Sequence, residues 1–254
     1  MIRSALMIIM AVAVTIVMTV CIIVFSLISR VTGEDRGHKV AKLWARMLLR
    51  LFHTKMEIIG AENIHLGKPQ IMMANHQSDF DILILLAGIP GQFRWIAKKE
   101  LFRIPLFGTA MRKCGYIAID RQNHERAMES VERALQKIQE GKSIMSFPEG
   151  TRSRNGVIRP FKRGMFHLAI ASGAPIVPLS IIGSGQIMPK GSLNVKPGKI
   201  TVVIGKPIDV SGYTAEDHDL LIEQVRKVII RNYEERGTPA TNHDALETIL
   251  SGGL

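Results

Sequence analysis

Residues 69–81 read PQIMMANHQSDFD, and this stretch decides the fold. Its first half is a short apolar run that predicts a buried strand. Its second half opens a predicted helix, Asp79–Ile89, whose start is capped by Ser78 or Asp79. A histidine, His76, stands where the strand gives way to the helix. Because functional groups concentrate at the carboxyl ends of strands in α/β sheets, the stretch predicts an α/β fold and the position of a site within it.

The chain beyond residue 54 repeats this alternation of short apolar runs and helical stretches. Alternation of this kind favours an α/β domain with a largely parallel sheet flanked by helices. Further strands are predicted at Phe93–Ala97, Tyr116–Ile119, Ser143–Phe147, Pro175–Ile182 and Lys199–Ile204. Further helices are predicted at Asn123–Gln139, Gly164–Ala171 and Asp217–Tyr233.

The N-terminus predicts a membrane anchor. No charged residue occurs from Ser4 to Ser29. Roughly 26 residues at about 1.5 Å each reach about 39 Å as a helix, enough to cross a hydrocarbon core of about 30 Å. The alternative is a secretory signal peptide, whose apolar core would span roughly 7–15 residues. The length of the run and its Ile-, Val- and Met-rich composition favour an uncleaved anchor.

The next segment, His38–His53, predicts an amphipathic helix. Its apolar side carries Val40, Leu43, Trp44, Met47, Leu48 and Leu51, and its basic side carries Lys39, Lys42, Arg46 and Arg50. Such a helix suits the headgroup region of a membrane, although an amphipathic helix docked on a soluble core has the same pattern. The preceding anchor favours the membrane. These bases outnumber the lone Arg3 on the other flank, so we expect the main body to face the cytoplasm from the inner, cytoplasmic membrane.

Three regions follow from this organisation. Residues 1–53 are expected to form membrane-anchoring helices, residues 54–235 the catalytic domain, and residues 236–254 a loosely attached polar tail.

Composition excludes several classes of function. The net charge of +11 fits nucleic acid, anionic lipid or an acidic substrate. Only 6% of residues are aromatic and no recognised nucleic-acid motif occurs, so nucleic acid is disfavoured. Two cysteines, Cys21 and Cys114, cannot build a disulfide framework and lack metal-ligand spacing. His76, Asp81 and Glu149 could be considered as metal ligands, but they do not form a dedicated ligand set. We therefore expect neither a metal nor a cofactor.

His76 and Asp81 are candidates for a general base and the carboxylate that orients it. They lie about one helical turn apart, so a hydrogen bond between them is feasible. A carboxylate on the second ring nitrogen fixes the tautomer and stabilises the imidazolium that forms. Taken alone, the spacing favours a capping or buried histidine over a catalytic one. No Gly-x-Ser-x-Gly sequence occurs, so a serine acyl-enzyme is not indicated.

Residues 147–154 read FPEGTRSR and follow a predicted strand. The turn Glu149-Gly150-Thr151-Arg152 offers backbone N–H groups, a hydroxyl and a guanidinium together. These groups suit a phosphate monoester, because arginine binds phosphate with two parallel hydrogen bonds. Other bases near this turn or the neighbouring loops could join it or remain solvated surface charges, and these are Lys98, Lys99, Arg121, Lys162 and Arg163.

Four ordered blocks resemble those of the glycerolipid acyltransferases across about residues 70–185. The blocks are Asn75-His76-Gln77-Ser78 with Asp81; Lys98 to Leu101, Ile104-Pro105, Phe107-Gly108 and Gly115 to Arg121; Phe147 to Arg154; and Ile176 to Leu179. The motif variants resemble those of the 1-acylglycerol-3-phosphate acyltransferase branch: Asn before the histidine, Gln after it, and the sequence FPEGTRS.

The resemblance implies transfer of a fatty acyl group from acyl-CoA or acyl carrier protein to the 2-hydroxyl of lysophosphatidic acid, which gives phosphatidic acid for phospholipid synthesis. His76 would take the hydroxyl proton and Asp81 would orient His76. The substrate-binding residues it implies are Glu149, Gly150, Thr151 and Arg152, with Arg121, Lys98 and Lys162 in support. Acylation of another lysolipid or amino-lipid, and a non-catalytic membrane lipid-binding protein, are the alternatives.

Overall fold

The computed structural model describes residues 2–28 and 33–236, so the predicted tail lies outside the described residues from residue 237 onward. The strands are β1 (Thr54–Ile59), β2 (Ile71–Ala74), β3 (Phe93–Lys98), β4 (Ile117–Ile119), β5 (Ser143–Ser146), β6 (Ile176–Ile182) and β7 (Gly198–Ile204). The helices are α1 (Ile2–Ile28), α2 (Gly33–Leu51), α3 (Phe80–Gly88), α4 (Phe107–Lys113), α5 (His124–Gln139), α6 (Gly164–Ser172), α7 (Ser184–Ile187) and α8 (His218–Arg236).

The strands form one sheet in the order β1-β7-β6-β2-β5-β3-β4. Every neighbouring pair is parallel except β6 and β7, which confirms the predicted α/β fold. Strands β2 and β5 are direct neighbours, with Met73 paired to Ser146 near their carboxyl ends. The loops that follow these two strands therefore meet at one edge of the sheet, and these are the loops that carry His76 and residues 147–154.

The central strand β2 is buried on both faces. Met72 and Ala74 contribute to a core cluster that includes residues of α2 and α3. Ile71 and Met73 contribute to a second cluster that includes residues of α5, α6 and α8. A strand covered on both sides reads as a continuous apolar run in the sequence, which is why this strand could be predicted.

Three elements were not predicted from the sequence: β1, α4 and α7. Strand β1 is half exposed at the sheet edge and carries polar residues among its apolar ones. Helices α4 and α7 have only seven and four residues, too few to show a helical period.

Helix α2 begins at Gly33, five residues before the predicted start at His38. Glu34 and Asp35 lie in its first turn, where negative charge complements the helix dipole. Both pair with the fully buried Arg94 of β3, at 3.4 Å and 2.6 Å respectively. These contacts attach the start of α2 to the sheet.

Helix α1 packs on α2 and α4 and exposes apolar side chains such as Ile9, Ile16 and Phe25. Its segment Ala5–Leu27 is long and apolar enough to cross a membrane, with a mean hydropathy of 3.0. An apolar helix with this exposed surface indicates membrane association.

Only part of the basic side of α2 faces solvent. Lys42 Nζ donates to the carbonyl oxygens of Ile89 at 2.5 Å and Gly91 at 3.1 Å. Arg46 Nε donates to the Ala87 carbonyl at 3.3 Å. These carbonyls lie at or just beyond the end of α3, where the helix leaves acceptors unpaired and favours positive charge. Two of the four predicted headgroup bases therefore hold α2 against α3.

Lys42→Met should destabilise the protein by about 1 kcal/mol, because it removes charged donors from the end of α3. Lys39→Met is the matched control, since Lys39 is exposed on the same helix. Thermal unfolding in detergent, followed by circular dichroism, measures both. Equal midpoints for the two variants would contradict the assignment.

Candidate active site

The His76–Asp81 pair is formed in the structure. His76 Nδ1 lies 2.8 Å from Asp81 Oδ2, and the Asp81 side chain is fully buried. The same oxygen accepts hydrogen bonds from the backbone N–H groups of Gln77 at 2.7 Å and Ser78 at 2.9 Å. Because a carboxylate accepts, Nδ1 carries the proton and Nε2 keeps its lone pair. His76 is then in the tautomer that a general base requires.

Aromatic packing fixes the plane of the His76 ring. The Phe147 ring stacks on it with centroids 3.9 Å apart and planes 7° apart. Trp95 stacks on the far side of Phe147 at 5.3 Å. The role of Phe147 was missed in the sequence, although it opens the block at residues 147–154.

Glu149 is used differently from the expected phosphate contact. Its Oε1 accepts from the His76 backbone N–H at 2.8 Å, and its Oε2 accepts from the Arg159 backbone N–H at 2.9 Å. The side chain is buried, and burial raises the pKa of its carboxyl while the two N–H groups oppose that rise. Both carboxylate oxygens thus accept hydrogen bonds from backbone N–H groups, and a carboxylate would repel phosphate. We infer that Glu149 positions the His76 loop.

One cavity of about 760 Å³ joins His76 to the membrane-associated helices. Most of its lining is apolar, and helices α1, α2, α3 and α4 contribute to it, with residues that include Met18, Ile22, Trp44 and Leu48. Thr15 of α1 accepts a hydrogen bond from Trp44 Nε1 at 3.0 Å. The anchor helices therefore form walls of the cavity that contains the histidine.

Basic groups and a tight turn line the opposite part of the same cavity. Gly150, Thr151 and Arg152 contribute to the lining, and Gly150 has φ +72°, a conformation that favours glycine. Arg152 Nη1 lies 2.5 Å from Asp79 Oδ2. Lys190 also lines the cavity.

Sequence reasoning missed Lys190. Its Nζ donates to Thr151 Oγ1 at 3.2 Å and to the Arg152 carbonyl at 2.9 Å. Lys190 lies in the segment between α7 and β7, which is tied to the first block because Ser78 Oγ donates to the Met188 carbonyl at 2.8 Å. A lone lysine in a Pro-Lys-Gly turn carries no periodic signal, so its place was not evident from the sequence.

The supporting bases predicted from the sequence divide into two groups. Arg121 and Lys98 line the cavity; Arg121 donates to the Gly150 carbonyl, and Lys98 pairs with Glu100 at 3.7 Å. Lys162 is exposed and packs against Gly150, and it is not among the described residues that line the cavity.

Comparison with known proteins agrees with this geometry. Residues 55–182 match the family model described as Acyltransferase. The chain is 37% identical over 194 residues to the chloroplastic 1-acyl-sn-glycerol-3-phosphate acyltransferase BAT2 of Brassica napus, covering 76% of this chain and 54% of the relative. It is 31% identical over 201 residues to the human 1-acyl-sn-glycerol-3-phosphate acyltransferase alpha, covering 79% of this chain and 71% of the relative.

A solved structure extends the similarity to nearly the whole chain. The 1-acyl-sn-glycerophosphate acyltransferase PlsC of Thermotoga maritima superposes with a TM-score of 0.81 at 26% identity, covering 95% of this chain and 97% of that one. By contrast, the chain spans about half the length of the first chloroplast relatives that it matches, at 54% each.

Glu149→Gln should lower stability by about 1–3 kcal/mol, because an amide NH₂ would replace one acceptor oxygen and face a backbone N–H. Thermal unfolding in detergent measures the change. Glu132→Gln, at an exposed position of α5, is the control and should leave the midpoint unchanged. An unchanged midpoint for Glu149→Gln would show that its two hydrogen bonds do not hold the loop.

Proposed function

The chain belongs to the acyltransferase family, and from this premise we propose that it transfers a fatty acyl group from a thioester to the 2-hydroxyl of 1-acylglycerol 3-phosphate. The product is phosphatidic acid. One observation carries the proposal: an oriented histidine, a cluster of basic groups and an apolar chamber share a single cavity. The reaction needs a base, a phosphate site and room for hydrocarbon chains.

His76 is the proposed general base. Its Nε2 takes the proton of the acceptor hydroxyl while the hydroxyl oxygen attacks the thioester carbonyl. The tetrahedral intermediate then collapses, the C–S bond breaks, and the imidazolium returns the proton to the departing thiolate. Asp81 stabilises the imidazolium between these steps, and positioned proton transfer of this kind contributes about 10²–10⁴-fold to the rate.

Arg152 and Lys190 are the proposed ligands of the acceptor phosphate. Both are cations that line the cavity, and they come from different segments of the chain. Thr151 Oγ1 and the N–H groups of the turn at Gly150 add neutral donors. Arg121 supports this turn by donating to the Gly150 carbonyl, and Lys98 contributes charge at the cavity wall.

The apolar part of the cavity is the proposed place for acyl chains. Helix α1 exposes Ile9 and Ile16 outward and lines the cavity with Thr15 and Met18. A lysolipid could therefore move from the bilayer into the cavity without crossing water. We propose that residues 1–53 anchor the protein at the inner, cytoplasmic membrane, that residues 54–235 form the catalytic domain, and that this domain faces the cytoplasm.

The direct test is release of free thiol from an acyl thioester by the full chain in detergent. Thiol release should depend on lysophosphatidic acid, and lysophosphatidylcholine should not replace it, because its phosphate carries a bulky choline. Acyl-CoA and acyl carrier protein thioesters should be compared as donors. Equal rates with both acceptors would reject the proposed acceptor.

Asp81→Asn should lower kcat by about 10²–10⁴-fold with little change in acceptor KM. An amide in this place donates toward Nδ1, so that His76 presents N–H and not a lone pair to the hydroxyl. Steady-state kinetics at saturating donor measure both constants. Asp209→Asn, at an exposed position outside the cavity, is the control. A kcat within a few-fold of wild type would remove Asp81 from the mechanism.

Lys190→Met should raise the acceptor KM by about ten-fold or more, because a charged hydrogen bond to phosphate is lost. The donor KM should change far less. Lys196→Met is the matched control, since Lys196 is exposed on the same segment and does not line the cavity. A rise confined to the donor KM would contradict the phosphate assignment.

A further inference from the structure

The carboxylate of Asp79 does not cap the helix that it precedes. Asp79 is the N-cap residue of α3, yet its side chain makes no capping hydrogen bond. Ser78 Oγ accepts from the Phe80 backbone N–H at 3.2 Å. Of the two capping residues expected from the sequence, only Ser78 contacts the helix start in this way. The Asp79 carboxylate is free to act elsewhere.

Its partner is the arginine of the proposed phosphate site. Asp79 Oδ2 lies 2.5 Å from Arg152 Nη1, across a separation of 73 residues in the sequence. The Asp79 side chain is 55% exposed and that of Arg152 is 26% exposed. Asp79 also lines the cavity that contains His76. A carboxylate therefore contacts the guanidinium at the cavity wall.

Carboxylate and phosphate oxygens compete for the same guanidinium N–H groups, because both accept charge-assisted hydrogen bonds in the same geometry. A phosphate that takes the Nη1 contact of Arg152 displaces Asp79, and the two anions repel each other if both remain on the guanidinium. The exposure of Asp79 gives its side chain a path into solvent. Lys190, by contrast, donates to two neutral oxygens and has no carboxylate partner among the described ion pairs.

We propose that Asp79 competes with the acceptor phosphate for Arg152 and so sets the affinity of the site for phosphate. This rests on the proposed function, in which Arg152 binds the acceptor phosphate. Binding is then an exchange of one oxyanion for another, so the contact with Arg152 adds little net affinity. A free phosphate gains this exchange and the contact with Lys190. A lysolipid also buries its chain in the apolar cavity, and this burial favours it over free phosphate.

The variant Asp79→Asn keeps the shape of the residue and removes its charge. In the full chain in detergent, it should lower both the acceptor KM and the inhibition constant of inorganic phosphate by about two- to ten-fold. The two constants should fall by the same factor, because the exchange at Arg152 is common to both ligands. Phosphate binding can be followed without turnover by titration of tryptophan fluorescence, since both tryptophans of the chain, Trp44 and Trp95, line the cavity.

Two further variants isolate the Asp79–Arg152 contact. In the Arg152→Gln background, Asp79→Asn should have a smaller effect on phosphate affinity, because the competition no longer exists and only the repulsion between Asp79 and phosphate remains. Asp219→Asn is the control: Asp219 forms an exposed pair with Arg163 at 2.6 Å and does not line the cavity. Asp79→Ser provides a second neutral variant with an oxygen suited to the helix start.

Each outcome decides the proposal. Weaker or unchanged phosphate binding in both Asp79 variants would overturn it, and weaker binding would show that Asp79 orients Arg152 for its ligand. An equal effect of Asp79→Asn with and without Arg152 would also overturn it. Failure of the proposed function gives a different result: the wild type would release no thiol with lysophosphatidic acid, while the fluorescence titration would still report the competition.

Discussion

The buried carboxylate of Asp81 is the interaction on which the site depends. A carboxylate removed from water is costly unless hydrogen bonds compensate it. Here the ring of His76 and the backbone N–H groups of Gln77 and Ser78 converge on one oxygen. The start of α3 adds the positive end of a helix dipole. The Asp81 carboxylate thus shapes the loop, selects the tautomer of His76 and orients its ring.

A second buried carboxylate connects this loop to the turn that is proposed to bind phosphate. Glu149 accepts from the His76 backbone, and Phe147 stacks on the His76 ring. Both belong to the loop after β5, which meets the loop after β2 because the two strands are parallel neighbours. His76 and Arg152 are therefore carried by neighbouring loops that are joined by hydrogen bonds, and the proposed mechanism can present the acceptor hydroxyl close to Nε2.

The two N-terminal helices are part of the site and not an attachment to it. Helix α1 lines the cavity on one side and exposes apolar side chains on the other. Helix α2 is fixed at its start and at its middle: its first turn pairs with the buried Arg94, and Lys42 binds the carbonyls at the end of α3. Because α3 begins beside His76, the position of the membrane helices and the geometry of the base are mechanically linked.

The sequence by itself determined the α/β alternation, the strand and helix around His76, and the blocks that carry His76, Asp81 and Arg152, because these patterns are local. Half-exposed β1 and short α4 gave no local pattern. The tertiary structure alone decided the engagement of Glu149 with backbone, the position of Lys190 and the pairing of Asp79 with Arg152. The Glu149 and Asp79 contacts join groups 73 residues apart. Such contacts follow from which strands are neighbours in the sheet, and no local period encodes that order.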